Sequence, residues 1–437
     1  MKGNRELNKK FDYKWVMVGL SFLMVFVALG FCSTSRSLYI SPICDALGIT
    51  RSAFSINDSC RYIATSVANL FFGTLALKFG LKKLVILGFS CLTISMILYA
   101  IGNKVYVFYI AGAFLGLGLA WTTTTIVGAV ISRWCPDNQG TIMGFVLAAN
   151  GLGGALAMQI LSPIINMEGN PFGYRYSYAL VAIILAVCGI IMAIFFKEKP
   201  KHQDPKVKVN KKVRGNIWAG IPFNAVLKKG YFYCAIVCIF FTGMVIQGMY
   251  GVAAPHLRDC GLDPAYVATV LSISSICLTL FKFLTGFIYD KCGLKITANT
   301  LLAASAVVLI LLANVSNSAT GRIIAMIYGI LISLAMPLET IMLPIYAHDL
   351  FGEKAYFNTM GIFSASCTAG FAFGAPLMNV CYDILGSYNN AFYVGFGLII
   401  FVIVLMQWVI RCSKKERELV LEAELKADEI DIVKEAK

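Results

Sequence analysis

The sequence predicts an all-α integral membrane protein with twelve transmembrane helices in two pseudo-symmetric six-helix bundles. Three observations predict it: the chain is too apolar for a soluble fold, its apolar residues fall into twelve runs of spanning length, and its two halves echo one another. Of 437 residues, 58% are hydrophobic and only 14% charged, with a mean hydropathy of +0.75. A soluble domain is typically about 45–50% apolar and 25% charged. A chain of this composition cannot cover itself with polar surface.

A helix needs roughly 20 apolar residues to cross a ~30 Å hydrocarbon core. Runs of that kind occupy 15–38, 53–77, 84–102, 105–132, 139–165 and 175–196, then 231–255, 264–289, 296–314, 320–347, 357–383 and 388–411. The first follows Lys9, Lys10 and Lys14 as a leader peptide would. It has no small-residue cleavage signal, however, and many similar runs follow, so it reads as a span. The organisation is a cytosolic N-terminus (1–14), a first bundle (15–196), a lysine-rich cytosolic linker (197–230), a second bundle (231–411) and a cytosolic tail (412–437). The tail mixes charges around Leu419, Leu421 and Leu425, as a solvated amphipathic helix does.

The net charge of +14 first suggests a polyanionic partner, but the positions of the bases argue otherwise. With both termini inside, 29 of the 37 Lys and Arg fall on the inner side and only Arg51, Lys104, Arg175, Arg258 and Arg322 on the outer. That is the positive-inside asymmetry of a multi-pass protein of a plasma (inner) membrane, and nucleic acid is not expected as a partner. Nine of the 14 cysteines lie within the apolar runs and no Cys-x-x-Cys occurs, which reads as small hydrophobes between helices and gives no metal or cofactor site.

The internal repeat sets the symmetry. Gly73-Thr-Leu-Ala-Leu-Lys78-Phe-Gly80-Leu-Lys82 closes the second span, and Gly286-Phe-Ile-Tyr-Asp290-Lys291-Cys-Gly293-Leu-Lys295 closes the eighth, at a constant offset of 213 positions. Thr141-Ile-Met-Gly144 and Asn358-Thr-Met-Gly361 add a second echo. Two parallel six-span repeats are the internal symmetry of one large class of secondary transporters.

On these motifs the chain resembles the major facilitator superfamily over nearly its whole length. The two glycine-lysine loops are similar to that superfamily's signature after the second span and its weaker copy after the eighth. The resemblance implies a gating motif at Gly73, Lys78, Gly80, Gly286, Asp290, Lys291 and Gly293. Leu77 stands where the family usually has Asp, so the gating ion pair that the resemblance implies lacks its acid in the first half. Leu47-Gly48-Ile-Thr-Arg51-Ser-Ala, Arg133-Trp-Cys-Pro, the glycines Gly144, Gly151, Gly153 and Gly154 of the fifth span, and Asp349-Leu-Phe-Gly352 resemble the oxalate/formate antiporter and monocarboxylate transporter branches. There, a cation four residues before the signature glycine of the eighth span engages a substrate carboxylate; here it is Lys282. Arg36 lies near a basic position of the monocarboxylate branch. The second lysine of the oxalate type has no counterpart in Phe363-Ser-Ala-Ser-Cys-Thr-Ala, which argues against oxalate itself.

Charges within spans carry the functional reading. A mid-bilayer charge costs at least ~2.5–3.5 kcal/mol and is expected to face a cavity or a partner. Lys282 and Glu339 both fall roughly 12–14 Å from the inner boundary at 1.5 Å per residue. Lys282 is expected to hold an organic-anion carboxylate, with Glu339 either carrying a coupling proton or neutralising Lys282. A permanent helix-locking ion pair is the plainer alternative. Arg36 and Arg61 lie in the outer halves of spans one and two. There they attract anions at the outer mouth, snorkel, or, for Arg61, pair locally with Asp58 at i,i+3. Trp121 with Thr122 and Thr125, Asn150, and Gln247 with Tyr250 are candidate cavity linings, and His256 sits at an outer loop position where exposure is expected.

No Walker loop, Gly-x-Ser-x-Gly or His-Glu-x-x-His occurs, so neither ATP drive nor an embedded enzyme is indicated. The expectation is a secondary active transporter of small organic anions, monocarboxylates first. It works by alternating access with proton or counter-anion coupling, needs no cofactor, and acts as a monomer in the lipid bilayer. A transporter of another metabolite on the same fold is the first rival and a non-transporting sensor the second.

Overall fold

The structure, a computed structural model, describes residues 13–135, 139–167, 169–197 and 220–435. Most of the expected N-terminus (1–14) and central linker (197–230) lies outside them.

Among the described residues, twelve helices run in the predicted order. The first half holds α1 (Tyr13–Leu47), α2 (Arg51–Leu70, continued by Phe72–Phe79), α3 (Leu81–Ile101), α4 (Val105–Ala120, continued by Thr124–Trp134), α5 (Gln139–Ile165) and α6 (Gly173–Phe195). The second holds α7 (Gly230–Asp259), α8 and α9 within Pro264–Ala313, α10 (Ala319–Ala335, then Met336–Glu339 and Met342–Phe351), α11 (Tyr356–Leu385) and α12 (Asn389–Glu435). Eleven of these are long and apolar enough to cross a membrane among the described residues. The exception is α2, whose middle carries Asn57, Asp58 and Arg61 on buried positions. Those three side chains turn to the protein's interior, whereas Ile63, Val67 and Phe71 on the same helix are exposed.

The halves repeat each other's packing. In the first, α2 packs on α4, α1 on α5 and α3 on α6; in the second, α8 packs on α10, α7 on α11 and α9 on α12. Two seams join the halves, α5 against α8 and α11 against α2, and these are equivalent under the repeat. The backbone keeps the offset of 213 at turns as well. Gly80 and Gly293 adopt φ of 82° and 73°, a left-handed region that favours glycine and bends the chain sharply between α2 and α3 and between α8 and α9. Gly48 and Gly261 match likewise, and the residues two positions on, Thr50 and Asp263, both cap the next helix by accepting first-turn amides.

Along the α5–α8 seam a Cβ on Gly151 would lie 2.2 Å from Thr279 Oγ1 and 2.4 Å from the Ser275 carbonyl. On the other side of α5, one on Gly153 would lie 2.2 Å from the Phe26 carbonyl of α1. The glycines of the fifth span therefore seat α5 between α1 and α8, the close approach that small residues permit in membranes.

Two helices lose regularity where charged residues sit. In α1 a π-helical turn (Phe26–Phe31) is followed by a 3-10 stretch (Thr34–Tyr39) that carries Arg36. In α10 a 3-10 turn (Met336–Glu339), introduced by Pro337, carries Glu339. Such breaks free backbone groups at depth and are tolerated only inside protein or along a cavity. The 14 cysteines are thiols rather than disulfides and, Cys292 aside, are wholly or partly buried.

Candidate functional site

A cavity of about 590 Å³ lies between the halves, lined from the first by Leu29, Thr124, Gly144, Leu147 and Asn150, and from the second by Leu278, Thr279, Lys282, Thr340 and Pro344. Gly144 is close to the start of α5 and Pro344 close to the end of α10, so the cavity occupies the half of the molecule nearest Lys197 and Gly220, the linker end. Its walls are mainly aliphatic. Among the described residues, Lys282 is the cation on them, with Asn150, Thr124, Thr279 and Thr340 as neighbouring polar groups. A pocket of this volume, largely apolar with few polar groups, suits a small organic ligand.

Glu339 is buried, 7% exposed, and its Oε1 has no hydrogen-bond partner among the described residues. It shares a half and an electrostatic neighbourhood with Lys282, yet no ion pair within 4 Å joins them among the described residues. The permanent helix-locking pair is thus not what this conformation holds.

A second cluster lies further from the linker end. Arg36 of α1 donates to Asp58 of α2, so Asp58 does not make the local pair with Arg61 expected from the i,i+3 spacing. The unwound stretch of α1 brings Arg36 to that carboxylate instead. Arg61 Nη1 donates to Ser33 Oγ at 3.1 Å, and its guanidinium lies 4.1 Å from the Tyr62 ring centre. Neither arginine snorkels to a surface or lines a mouth: Arg61 is 3% exposed and the Arg36 side chain 15%.

The other candidates divide. Asn150 lines the cavity and its Oδ1 accepts from Thr34 Oγ1 at 3.1 Å. Tyr250 reaches across the halves to the Thr34 carbonyl at 3.5 Å. Gln247 is half-buried on α7 away from the cavity wall. The Trp121 ring packs beside Ala68 and Cys91, because α4 breaks over Trp121–Thr123 and turns Thr124 to the cavity in its place. In the loop motifs, Lys78, Asp290 and Lys291 are exposed, and Gly73 and Gly286 lie within helices. The carboxylate that joins helices there is Asp349, which accepts from Tyr289 Oη at 2.8 Å on both oxygens.

The sequence reading missed a polar lock at the end opposite the linker. Arg51, counted among the outer-side bases, is 7% exposed. Its guanidinium grips both carboxylate oxygens of Asp259 in α7, with Nη2 to Oδ1 at 2.7 Å, and lies 4.0 Å from the Tyr382 ring centre. Such a bidentate, ring-stacked geometry is specific to arginine. Asp383 of α11 accepts the amides of Arg51 and Ser52 at 3.3 and 2.9 Å, placing a carboxylate from one half on the positive N-terminus of a helix of the other. Asn379 donates to Ser55 Oγ at 2.6 Å and accepts from Tyr388 Oη at 2.6 Å. His256 is also buried here, 4% exposed, with Nε2 2.7 Å from the Leu312 carbonyl. α7 continues through Pro255 to Asp259 and carries the ring inward, which overturns the expected exposed position. The only sequence signal for the lock is Thr50, a helix-capping residue that marks Arg51 as the first residue of a helix.

Comparison with known proteins agrees with this architecture. The family model "Major Facilitator Superfamily" matches residues 15–257 and 236–435. Among curated proteins, the oxalate:formate antiporter of Oxalobacter formigenes is 24% identical over 89% of this chain and 91% of its own length. Monocarboxylate transporter 13 of Bos taurus is 26% identical over 74% and 72%, and the sialic acid transporter NanX of Escherichia coli (strain K12) 20% identical over 89% and 88%. The solved structure of the nucleoside transporter NupG superposes with a TM-score of 0.72 at 16% identity, over 91% of this chain and 99% of that one, which shows the shared fold. Two model matches spanning both six-helix halves, on a fold with the same packing in each, settle the assignment: the chain belongs to the Major Facilitator Superfamily and is a membrane transporter.

Proposed function

We propose that this transporter moves small organic anions, monocarboxylates first, by alternating access, and that the linker end faces the cytoplasm of a plasma membrane. The observation that carries the reading is Lys282 on the wall of a mainly aliphatic cavity between the halves, in a helix that crosses the membrane. A cation held there without an ion pair is costly unless an anion completes it. The relatives named for monocarboxylates, oxalate and formate support that class, and the basic excess on the linker side supports the orientation. Glu339, buried and unpaired nearby, is the group we assign to proton coupling; exchange against a second anion is the other mode. The cavity is also large enough for a bulkier monoanion such as a sugar acid, and a relative named for sialic acid favours testing that size.

Uptake into proteoliposomes tests this, with a carboxylate panel graded in size and either an imposed pH gradient or preloaded internal anion. Gradient-driven uptake into anion-free vesicles excludes obligatory exchange. Lys282→Ala is expected to lower uptake at least 100-fold; unchanged uptake of every acid in that variant would sink the proposal.

A further inference from the structure

Among the described residues, the ionisable side chains at depth separate into two units. Lys282 and Glu339 belong to the second half; Arg36, Asp58 and Arg61 belong to the first. α2 and α8 both start at the Arg51 end. Arg61 is ten positions into α2 and Lys282 eighteen positions into α8, which at 1.5 Å per residue sets them at depths of ~15 Å and ~27 Å. Lys282 meets the linker-end cavity, whereas Arg61 does not line it. The first-half unit also carries more unanswered polarity. Asp58 answers Arg36, but no carboxylate lies within 4 Å of Arg61 among the described residues. Buried Arg61 Nε, Arg36 Nη1 and Asp58 Oδ1 all lack hydrogen-bond partners among the described residues. A guanidinium 3% exposed with an unmade N–H is costly as it stands and is completed by an incoming acceptor.

The cover over this unit comes from the other half. The Tyr62 ring meets Phe371 of α11 at 5.2 Å, Ser59 donates to the Ala372 carbonyl, and Tyr250 of α7 reaches the Thr34 carbonyl. These contacts lie on the same side of the molecule as the lock of Arg51 with Asp259 and Asp383. Parting the halves at that end removes the cover and leaves Arg61 and Arg36 on the wall of the opening.

We propose that Arg61, with Arg36 beside it, is a second station for the transported anion, selective for a single negative charge and reached from the Arg51 end, while Lys282 is the station reached from the linker end. The proposal rests on the organic-anion reading above and extends it. Selectivity follows from the charge of the unit: two arginines and one aspartate sum to +1, which a monoanion neutralises and a dianion overshoots in a buried place. The planar fork of arginine suits the two oxygens of one carboxylate.

The test uses right-side-out and inside-out membrane vesicles containing the full chain, with formate, acetate and lactate as substrates and oxalate as competitor. KM is measured at each face for R61Q, R61K and K282Q; R61K keeps the charge should R61Q fold poorly. The expected result is a ratio of Arg51-face to linker-face KM raised at least tenfold by both Arg61 substitutions and lowered by K282Q. Oxalate is expected to compete at the Arg51 face at least tenfold more weakly than the monoanions. A ratio unchanged in R61K and R61Q, with wild-type transport intact, overturns the second station alone, and equal competition by oxalate overturns its charge selectivity. A wild type that moves none of the acids defeats the organic-anion function and the station together.

Discussion

The two ends of the molecule are held by different kinds of contact. At the Arg51 end, Arg51 with Asp259 and Asp383, Ser55 with Asn379, and Gln159 with Ser272 (3.1 Å) tie one half to the other. At the linker end, Tyr13 Oη donates to the Phe195 carbonyl at 2.5 Å, Lys229 pairs with Glu416 at 2.8 Å and Ser413 donates to the Leu350 carbonyl at 2.8 Å, each within one half. The difference shows which motion is available. The linker end parts without breaking those bonds, and the Arg51 end parts only by breaking a specific set. This conformation is therefore closed at the Arg51 end, and its cavity belongs to the opposite one.

Four experiments break or sharpen that contrast, the largest effect first. Gly151→Leu drives a side chain into Thr279 and Ser275 at the seam about which the halves must rock. Abolished transport is expected with the protein still extracted as a monodisperse species, and retained transport would show that the seam is not a pivot. Arg51→Ala comes next. Breaking a buried pair costs about 3–5 kcal/mol, but the Asp259 side chain is 27% exposed and solvent screens it. About 1–2 kcal/mol is left, roughly a 5–30-fold shift in population toward opening at that end. Cys260, next to Asp259, reports it: in a background without the other cysteines, an impermeant maleimide should label it faster in Arg51→Ala by that factor.

The third experiment is the pH profile of that labelling. Burial pushes the Cys260 thiol up to about 11, with Asp259 adding to the effect. A raised thiol pKa means a neutral, slow thiol at pH 7, so the wild-type rate should climb about tenfold per pH unit from about pH 7.5 to 9.5. A rate that levels off near pH 9 would mean that the thiol is already in water and the end already open. The smallest effect belongs to Lys229→Ala. Its pair with Glu416 is partly exposed and lies within one half. Transport within twofold of wild type and about 0.5 kcal/mol or less of stability are expected, measured by uptake and thermal unfolding.

Much of this fold is legible in the sequence because hydropathy and offset are local properties. Twelve runs, two halves and the turn glycines Gly80 and Gly293 follow from them, and Lys282 stands out as a charge in an apolar run. The lock does not follow: Arg51 meets Asp259 and Asp383 across 208 and 332 positions of chain, and only packing joins them. Asp58 chooses Arg36 over Arg61 because α1 unwinds, and no residue pattern announces a 3-10 stretch there. Trp121 misled for the converse reason, since a face read at helical spacing fails where the helix is interrupted.

The polarity of α2 bears finally on how the protein is made. A segment leaving the translocation machinery is sorted by its own apolarity, and each centrally placed Asp or Arg opposes entry into lipid by about 2.5–3.5 kcal/mol. α2 carries both Asp58 and Arg61 and falls short of the apolarity reached by its eleven companions. α1 supplies Arg36 to Asp58, so pairing with the preceding helix offsets part of that cost once the two helices meet in the bilayer.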